Sequence, residues 1–225
     1  MSINSTDKFK SVKNYCEIVS SLCFICVSAV CLLACLKPGT VNLIDSRVLE
    51  SIVQNRSSRL DSLALLFSLP VNMGCMTFIT LTVLILSYLK RRRLLFFSCI
   101  FSVSGASLCS AALKLSVARP RPGFDFFPIV RESFFSMPSG HSASAAALLL
   151  TAFLCLLRSE ISAAAKLLCC ALIFAAVSGV AWSRLYLAVH YPCDVLAGLM
   201  LGAGWAFLGF PLAEAVLKRL KEKAA

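Results

Sequence analysis

Long runs of uncharged, mostly apolar residues alternate with short polar segments along this chain. A helix of about 20 apolar residues crosses the hydrocarbon core of a bilayer, and a slightly shorter one does so when its flanking residues lie at the interface. The pattern therefore predicts six transmembrane helices. The runs are Ile18 to Leu36, Ser62 to Leu89, Leu94 to Leu113, Ser142 to Leu157, Leu167 to Ser183 and Val195 to Ala213.

The same pattern predicts an all-α polytopic membrane protein rather than a β-barrel. Backbone groups in lipid must be paired within the spanning structure, and a barrel would show two-residue alternation in segments of about 10 residues, which this sequence lacks. No internal repeat and no soluble appended segment is evident, so residues 1–225 are expected to form one membrane domain.

The first apolar run follows several lysines, as the core of a signal peptide does, and Leu32 to Cys35 loosely resembles a lipoprotein cleavage box. The run is 19 residues long and has no small-x-small cleavage site. We therefore interpret it as an uncleaved first span.

Composition supports the membrane assignment. Hydrophobic residues make up 59% of the chain and charged residues 15%, which is far from the mixture of a soluble domain. The 12 cysteines lie mostly in apolar runs without neighbouring His, Asp or Glu, which favours small membrane hydrophobes over metal ligands or disulfides.

The net charge of +11 does not indicate a nucleic-acid partner, because the cations separate the apolar runs instead of covering one face. A cytoplasmic N-terminus places 13 of the 22 Lys and Arg residues on the cytoplasmic side, in keeping with the positive-inside rule. Both termini are then cytoplasmic, and the polar motifs face the periplasm or cell exterior.

Two longer segments lie on that outer side. In residues 37–61, apolar positions recur at helical spacing between 44 and 53, which predicts a short amphipathic helix on the membrane surface, either a plain connector or a participant in lipid access. Residues 114–140 contain four prolines and are expected to form mostly an irregular loop. Function is expected to concentrate in these segments.

The chain has only two histidines, and each lies in a polar motif beside an apolar run. The first motif is Pro138-Ser139-Gly140-His141, where a helix is expected to begin near Ser139. Free amides and the positive end of the helix dipole form a seat for phosphate, which Gly140 lets approach closely. The alternative is an interfacial His141 beside an ordinary serine cap.

The second motif, Ser183-Arg184 followed by His190 and Asp194, lies between the fifth and sixth runs. A carboxylate one helical turn from an imidazole can accept its proton and leave the other nitrogen free to attack phosphorus. The alternative is that Asp194 only caps the helix, although an acid at a membrane helix mouth favours function.

Lys114, Arg121 and Arg184 supply cations at the same outer face, suited to the charge that builds up on phosphoryl oxygens. We interpret Arg119 and Arg131 as interfacial anchors. Outer carboxylates are few and scattered, so no metal site is expected.

Three motifs in this order resemble those of the type 2 phosphatidic acid phosphatase superfamily: Lys-x6-Arg-Pro from Lys114 to Pro122, Pro-Ser-Gly-His from Pro138 to His141, and Ser-Arg-x5-His-x3-Asp from Ser183 to Asp194. The matched motif region is 114–194. Small size without an appended domain is similar to bacterial members, which implies a bacterial inner-membrane protein.

The resemblance implies a metal-independent and cofactor-free phosphohistidine mechanism. His190 would attack phosphorus, Asp194 would orient it, and His141 would protonate the leaving oxygen. The phosphoryl oxygens would be bound by Lys114, Arg121, Ser139, Gly140 and Arg184.

The substrate is expected to be a membrane lipid phosphate or diphosphate, with undecaprenyl diphosphate ahead of phosphatidylglycerophosphate and lipid A. Transfer of the phosphoryl group to another lipid is an alternative reaction. A non-enzymatic alternative is a six-span transporter whose cations bind anions.

Overall fold

The computed structural model describes the backbone of residues 5–224; of residues 5–12 and Met73 it describes no side chain. The side chains of Lys8 and Lys10, on which the predicted orientation partly rests, therefore lie outside the described residues. Residues 5–224 are helical with irregular connections and contain no β-strand, which confirms the all-α prediction. The helices are α1 Ser5–Leu36, α2 Pro38–Gln54, α3 Ser58–Ser68, α4 Met73–Leu89, α5 Arg93–Val117, α6 Gly140–Leu157, α7 Ala163–Tyr186 and α8 Pro192–Glu222, with 3₁₀ turns at Leu69–Val71 and Phe124–Phe126.

In the described residues, α1, α5, α6, α7 and α8 are each long and apolar enough to cross a membrane. The second apolar run is divided between α3 and α4, which meet at an angle of 50°. Pro70 lacks the N–H that a continuous helix would need, and Asn72 begins a new helix by accepting a hydrogen bond from the Cys75 amide at 2.8 Å. Counted as one span, this bent pair and the five single helices agree with the six predicted spans.

Helix α8 lies at the centre of the bundle and packs against α1, α5 and α6. Two glycines one turn apart permit the contact with α6: a Cβ on Gly198 would lie 2.4 Å from the Ser139 carbonyl oxygen, and one on Gly202 would lie 2.2 Å from that of Ala143. Small residues at this spacing let membrane helices approach closely. The contact brings the N-terminal ends of α6 and α8 together.

Helices α1 and α8 run antiparallel. The Ser20 hydroxyl donates to the Gly204 carbonyl at 2.9 Å, and Tyr15 contacts Phe207 near the N-terminal end of α1. The N-terminal end of α1 and the C-terminal end of α8 therefore lie at the same end of the bundle.

The predicted surface helix at 44–53 is part of the longer α2, and its faces differ from the expected ones. Asp45 and Leu49 are fully buried, whereas Ile44 is 58% exposed. The reason is an ion pair made by Asp45, which turns the presumed polar face towards the bundle.

Candidate active site

The predicted site residues come together at the end of the bundle opposite to the termini. The N-termini of α6 and α8, the last turn of α7 and the loop of residues 118–139 meet there. The loop is tied to the connection between α7 and α8, since Arg121 donates to the Val189 carbonyl and Ile129 donates to that of Leu187.

Glu132 lies in the middle of this cluster, and its carboxylate receives two guanidinium groups. Arg121 Nη2 lies 2.7 Å from Oε2, and Arg184 Nη2 pairs with Oε1. The same carboxylate is 3.8 Å from His141 Nδ1 and 3.9 Å from His190 Nε2. Burial alone would raise the pKa of Glu132, but Arg184 and Arg121 outweigh it and hold the pKa below its ordinary value. The position between both arginines and both imidazoles therefore stabilises an anion.

His190 is fully buried between Arg121 on one side of its ring and Asp194 on the other. Arg121 Nη1 lies 3.1 Å from Nε2, and Asp194 Oδ2 lies 3.7 Å from Nδ1. Burial lowers the pKa of His190 to about 4, although Asp194 opposes that effect. The ring is neutral near pH 7 and keeps a lone pair.

Ser136 mediates between His190 and Asp194. Its hydroxyl donates a short hydrogen bond to Asp194 Oδ2 and lies 3.3 Å from His190 Nδ1. The spacing of the motif predicted that Asp194 accepts the imidazole proton directly; at 3.3 Å from Nδ1, the Ser136 hydroxyl lies closer than Asp194 Oδ2 at 3.7 Å. Nothing in the sequence distinguished this serine from its neighbours.

Asp194 also caps the first turn of α8. It is the third residue of the helix, and its Oδ2 accepts from the Tyr191 amide at 2.8 Å. Asp194 therefore caps the helix and contacts His190 at the same time. Its carbonyl accepts from the Ser139 amide at 2.9 Å, which joins the two histidine motifs through the backbone.

Arg119 is a buried member of the site, and its interpretation as an interfacial anchor was wrong. It is 6% exposed and pairs with Asp194 at 2.8 Å and with Asp45 at 2.7 Å. Burial would lower its pKa, but Asp194 and Asp45 raise the pKa above its ordinary value. Its partner Asp45 is remote in sequence. In the sequence, Asp45 was only one of several polar residues of the predicted surface helix, and nothing there indicated a contact with Arg119. Arg131, by contrast, is exposed and lies over the Phe124 ring.

Arg184 is almost fully buried, and one of its donors is unused. Its Nη groups contact Ser68 and Glu132, while its Nε has no hydrogen-bond partner among the described residues. A buried unpaired donor costs about 1–3 kcal/mol. A ligand with several acceptor oxygens would satisfy it.

Lys114 and Ser139 lie on the other side of the site. Lys114 Nζ donates to the carbonyls of Phe135 and Ser136, and its Cε lies 4.0 Å from an ideal Cβ on Gly140. The Ser139 hydroxyl accepts from the Ser142 amide at 3.4 Å and so caps α6. Gly140 and His141 form the first turn of α6, where the helix dipole favours an anion.

Glu132, His141 and His190 each offer an atom within 4.8 Å of the others, close enough to share a metal ion. Both oxygens of Glu132 are engaged by arginines, and Lys114 lies at the same site. The surrounding charge therefore suits an anion better than a divalent cation.

The sequence model of the PAP2 superfamily matches residues 95–217. Phosphatidylglycerophosphatase B of Bacillus subtilis (strain 168) is 39% identical over 121 residues, which cover 52% of this chain and 56% of that protein. Lipid A 1-phosphatase of Rhizobium johnstonii is 32% identical over 122 residues, covering 51% and 44%. The chain thus spans about half the length of these curated relatives.

Two solved structures have a similar fold. The transmembrane PAP2-type phosphatidylglycerolphosphate phosphatase from Bacillus subtilis superposes with a TM-score of 0.74 at 23% identity, covering 89% of this chain and 96% of that one. LpxE from Aquifex aeolicus gives a TM-score of 0.57 at 22% identity, covering 75% and 95%. At these identities the likeness concerns the fold.

Proposed function

The chain belongs to the PAP2 superfamily, and we propose on that premise that it is an integral membrane phosphatase acting on a lipid phosphate or diphosphate. One observation carries the proposal: two arginine forks and two imidazoles converge on a single anion position, occupied here by Glu132. A phosphoryl group matches this position, because it offers several acceptor oxygens to forked donors.

In the proposed reaction, the substrate phosphate displaces the Glu132 carboxylate from Arg121 and Arg184. Arg121 then moves from His190 Nε2 to the phosphoryl oxygens, which frees the nitrogen lone pair. The N–P bond forms as the P–O bond to the lipid breaks, and His141 gives its proton to the leaving oxygen. Water hydrolyses the phosphohistidine, with His141 accepting the water proton.

The remaining residues hold charge and geometry in this scheme. Lys114, Arg184 and the first turn of α6 at Ser139 and Gly140 neutralise the equatorial oxygens of the transition state. Asp194, through Ser136 and its own charge, fixes the His190 ring and stabilises it as positive charge develops. No step requires a metal ion or a cofactor.

Phosphatidylglycerophosphate is the first candidate substrate, because the relative with 39% identity is named as its phosphatase. Undecaprenyl diphosphate, which the sequence reasoning placed first, becomes the second candidate because neither relative is named for it. Lipid A is the third, supported by the name of the relative with 32% identity.

The proposed location is the bacterial inner membrane, with residues 1–225 as one domain, both termini cytoplasmic and the site at the periplasmic face. The shared end of α1 and α8 supports a common side for the termini. A reporter that is active only in the cytoplasm, fused after Ala225, tests the orientation.

The deciding experiment measures phosphate release from these lipids by the purified protein in detergent with EDTA, beside His190→Ala. The expected result is release from at least one lipid that persists in EDTA and disappears in the variant, together with an acid-labile phosphoenzyme in the wild type. Abolition by EDTA, or full activity of the variant, contradicts the mechanism.

Two alternatives give different results in the same experiment. A phosphotransferase converts an added acceptor lipid without releasing phosphate. An anion transporter releases no phosphate from any of the lipids in this experiment, and after reconstitution into vesicles it keeps its transport when His190 is replaced.

A further inference from the structure

A cavity lies at the end of the bundle opposite to the catalytic residues. It is a cleft of about 760 Å³ between the α4–α5 turn and the C-terminal ends of α6 and α8. Leu86, Leu95, Ala152 and Leu156 contribute to a mostly apolar wall. Its volume lies within the range of about 300–1,000 Å³ that is usual for ligand pockets. The proposed phosphatase mechanism uses none of these residues.

Cations surround the mouth of this cleft. Lys90, Arg91, Arg92 and Arg93 follow one another in the α4–α5 turn, and Lys221 approaches from α8. In the described part of the chain, none of these five pairs with a carboxylate, whereas Arg158 at the same cleft pairs with Glu214 at 3.1 Å. The local charge is therefore strongly positive and uncompensated.

Several of these cations lie at the N-terminal end of α5, which increases the positive charge there further. Arg92 precedes the helix and Arg93 is its first residue, with no side-chain cap and no acidic residue in the first turn. The N-terminus of a helix already carries partial positive charge, so cations there repel it and an anion is attracted. Arg91 has φ 52°, a left-handed conformation that favours glycine, yet the chain has a charged side chain there.

We propose that this cleft binds an anionic phospholipid as a ligand distinct from the substrate. Its phosphate lies among the cations of the α4–α5 turn, and an acyl chain follows the apolar wall towards Ala152. Basic residues between membrane helices bind anionic headgroups in this way. The positive-inside rule accounts for the cations on this side of the bundle, but it does not require an apolar cleft next to them. The site lies far from His190, so the proposal is independent of the reaction.

The test is direct lipid binding to the full-length protein in detergent, measured by native mass spectrometry. The probes are phosphatidylglycerol, phosphatidylcholine with the same acyl chains, and inorganic phosphate. The headgroup variant is Arg91→Gln/Arg92→Gln/Arg93→Gln, and the acyl-chain variant is Ala152→Phe. The matched control, Lys13→Gln/Lys166→Gln/Lys223→Gln, removes three cations that do not line the cleft.

Preferential binding of phosphatidylglycerol by the wild type, the control and His190→Ala, weakened at least about tenfold in both cleft variants, would support the site. If the headgroup variant loses affinity for phosphatidylglycerol but keeps its affinity for phosphatidylcholine, the three arginines of the turn recognise the charged headgroup. Equal affinity for both lipids, equal loss in the control, or binding of phosphate alone that matches the lipid would overturn the proposal. Because Ala152→Phe keeps every charge, its result holds even if the headgroup variant fails to fold.

Discussion

Replacing Arg119 by glutamine removes a cation that joins Asp45 to Asp194. Both carboxylates are fully buried and Arg119 is 6% exposed, so water cannot take over its role. Leaving a buried ion pair without one partner costs about 3–5 kcal/mol. Because 1 kcal/mol changes the unfolding temperature by about 2–4 °C in a chain of roughly this size, Arg119→Gln should lower it by about 10 °C.

The assay is thermal unfolding of the purified protein in detergent, followed by tryptophan fluorescence. Arg131→Gln is the matched control, since that arginine is exposed in the same loop and its loss should change the unfolding temperature by no more than about 1–2 °C. The double variant Asp45→Asn/Arg119→Gln removes one of the stranded carboxylates and should be more stable than additivity of the single variants predicts.

Catalysis adds a second readout. Arg119 holds Asp194, which holds His190, so kcat should fall about 10–100-fold while KM changes little. If Arg119→Gln were as stable as Arg131→Gln, or if the double variant were additive, the ion-pair argument would be refuted.

Three other predictions concern the anion position, the buried imidazole and the helix contact. Glu132→Gln removes the carboxylate that competes for Arg121 and Arg184, so inorganic phosphate should inhibit about tenfold more tightly, as measured by its inhibition constant; weaker inhibition would show that Glu132 assists binding. Burial lowers the pKa of His190 from 6.5 to about 4, so the acid limb of the wild-type pH profile of kcat/KM that belongs to this ring should lie near pH 4, and a limb near pH 6.5 would contradict the burial argument. Since the unfolded chain takes up that proton first, stability should also fall as pH decreases from 6.5 towards 4; a flat profile in that window would contradict the burial argument. Gly202→Ala should lose about 1–3 kcal/mol of stability through overlap with the Ala143 carbonyl, whereas Gly39→Ala, with nothing within 4 Å, should lose little; equal unfolding temperatures would speak against the close contact.

The sequence predicted the helical architecture well because long apolar runs have few alternatives in lipid. It did not show the bend in the second run, because the bend depends on one proline and one capping asparagine, and the mean hydropathy of the run does not register either. Pro70 and Asn72 were visible, but neither excluded a merely kinked helix.

The proposed site was predictable where its residues form compact motifs and was missed elsewhere. His141, His190 and their polar neighbours stand out locally, since a membrane chain rarely has such residues. Contacts between elements distant in sequence bring three further residues into the site: Glu132, Ser136 and Asp45. A single acid or serine outside a motif does not stand out in the sequence. Arg119 lies within the Lys114 to Pro122 motif, and its role was misjudged because its two carboxylate partners come from α2 and α8.

The central position of α8 bears on how the protein is made. Among the described helices α8 emerges last from the ribosome, yet α1, α5 and α6 all pack on it. Earlier helices therefore enter the membrane without their common partner and must wait, with the faces that meet α8 open to lipid, until synthesis reaches Gly198 and Gly202. A nascent chain stalled before Asp194 would lack both the central helix of the bundle and the carboxylate beside His190, so assembly of the bundle and competence for the proposed chemistry are acquired together when α8 is made.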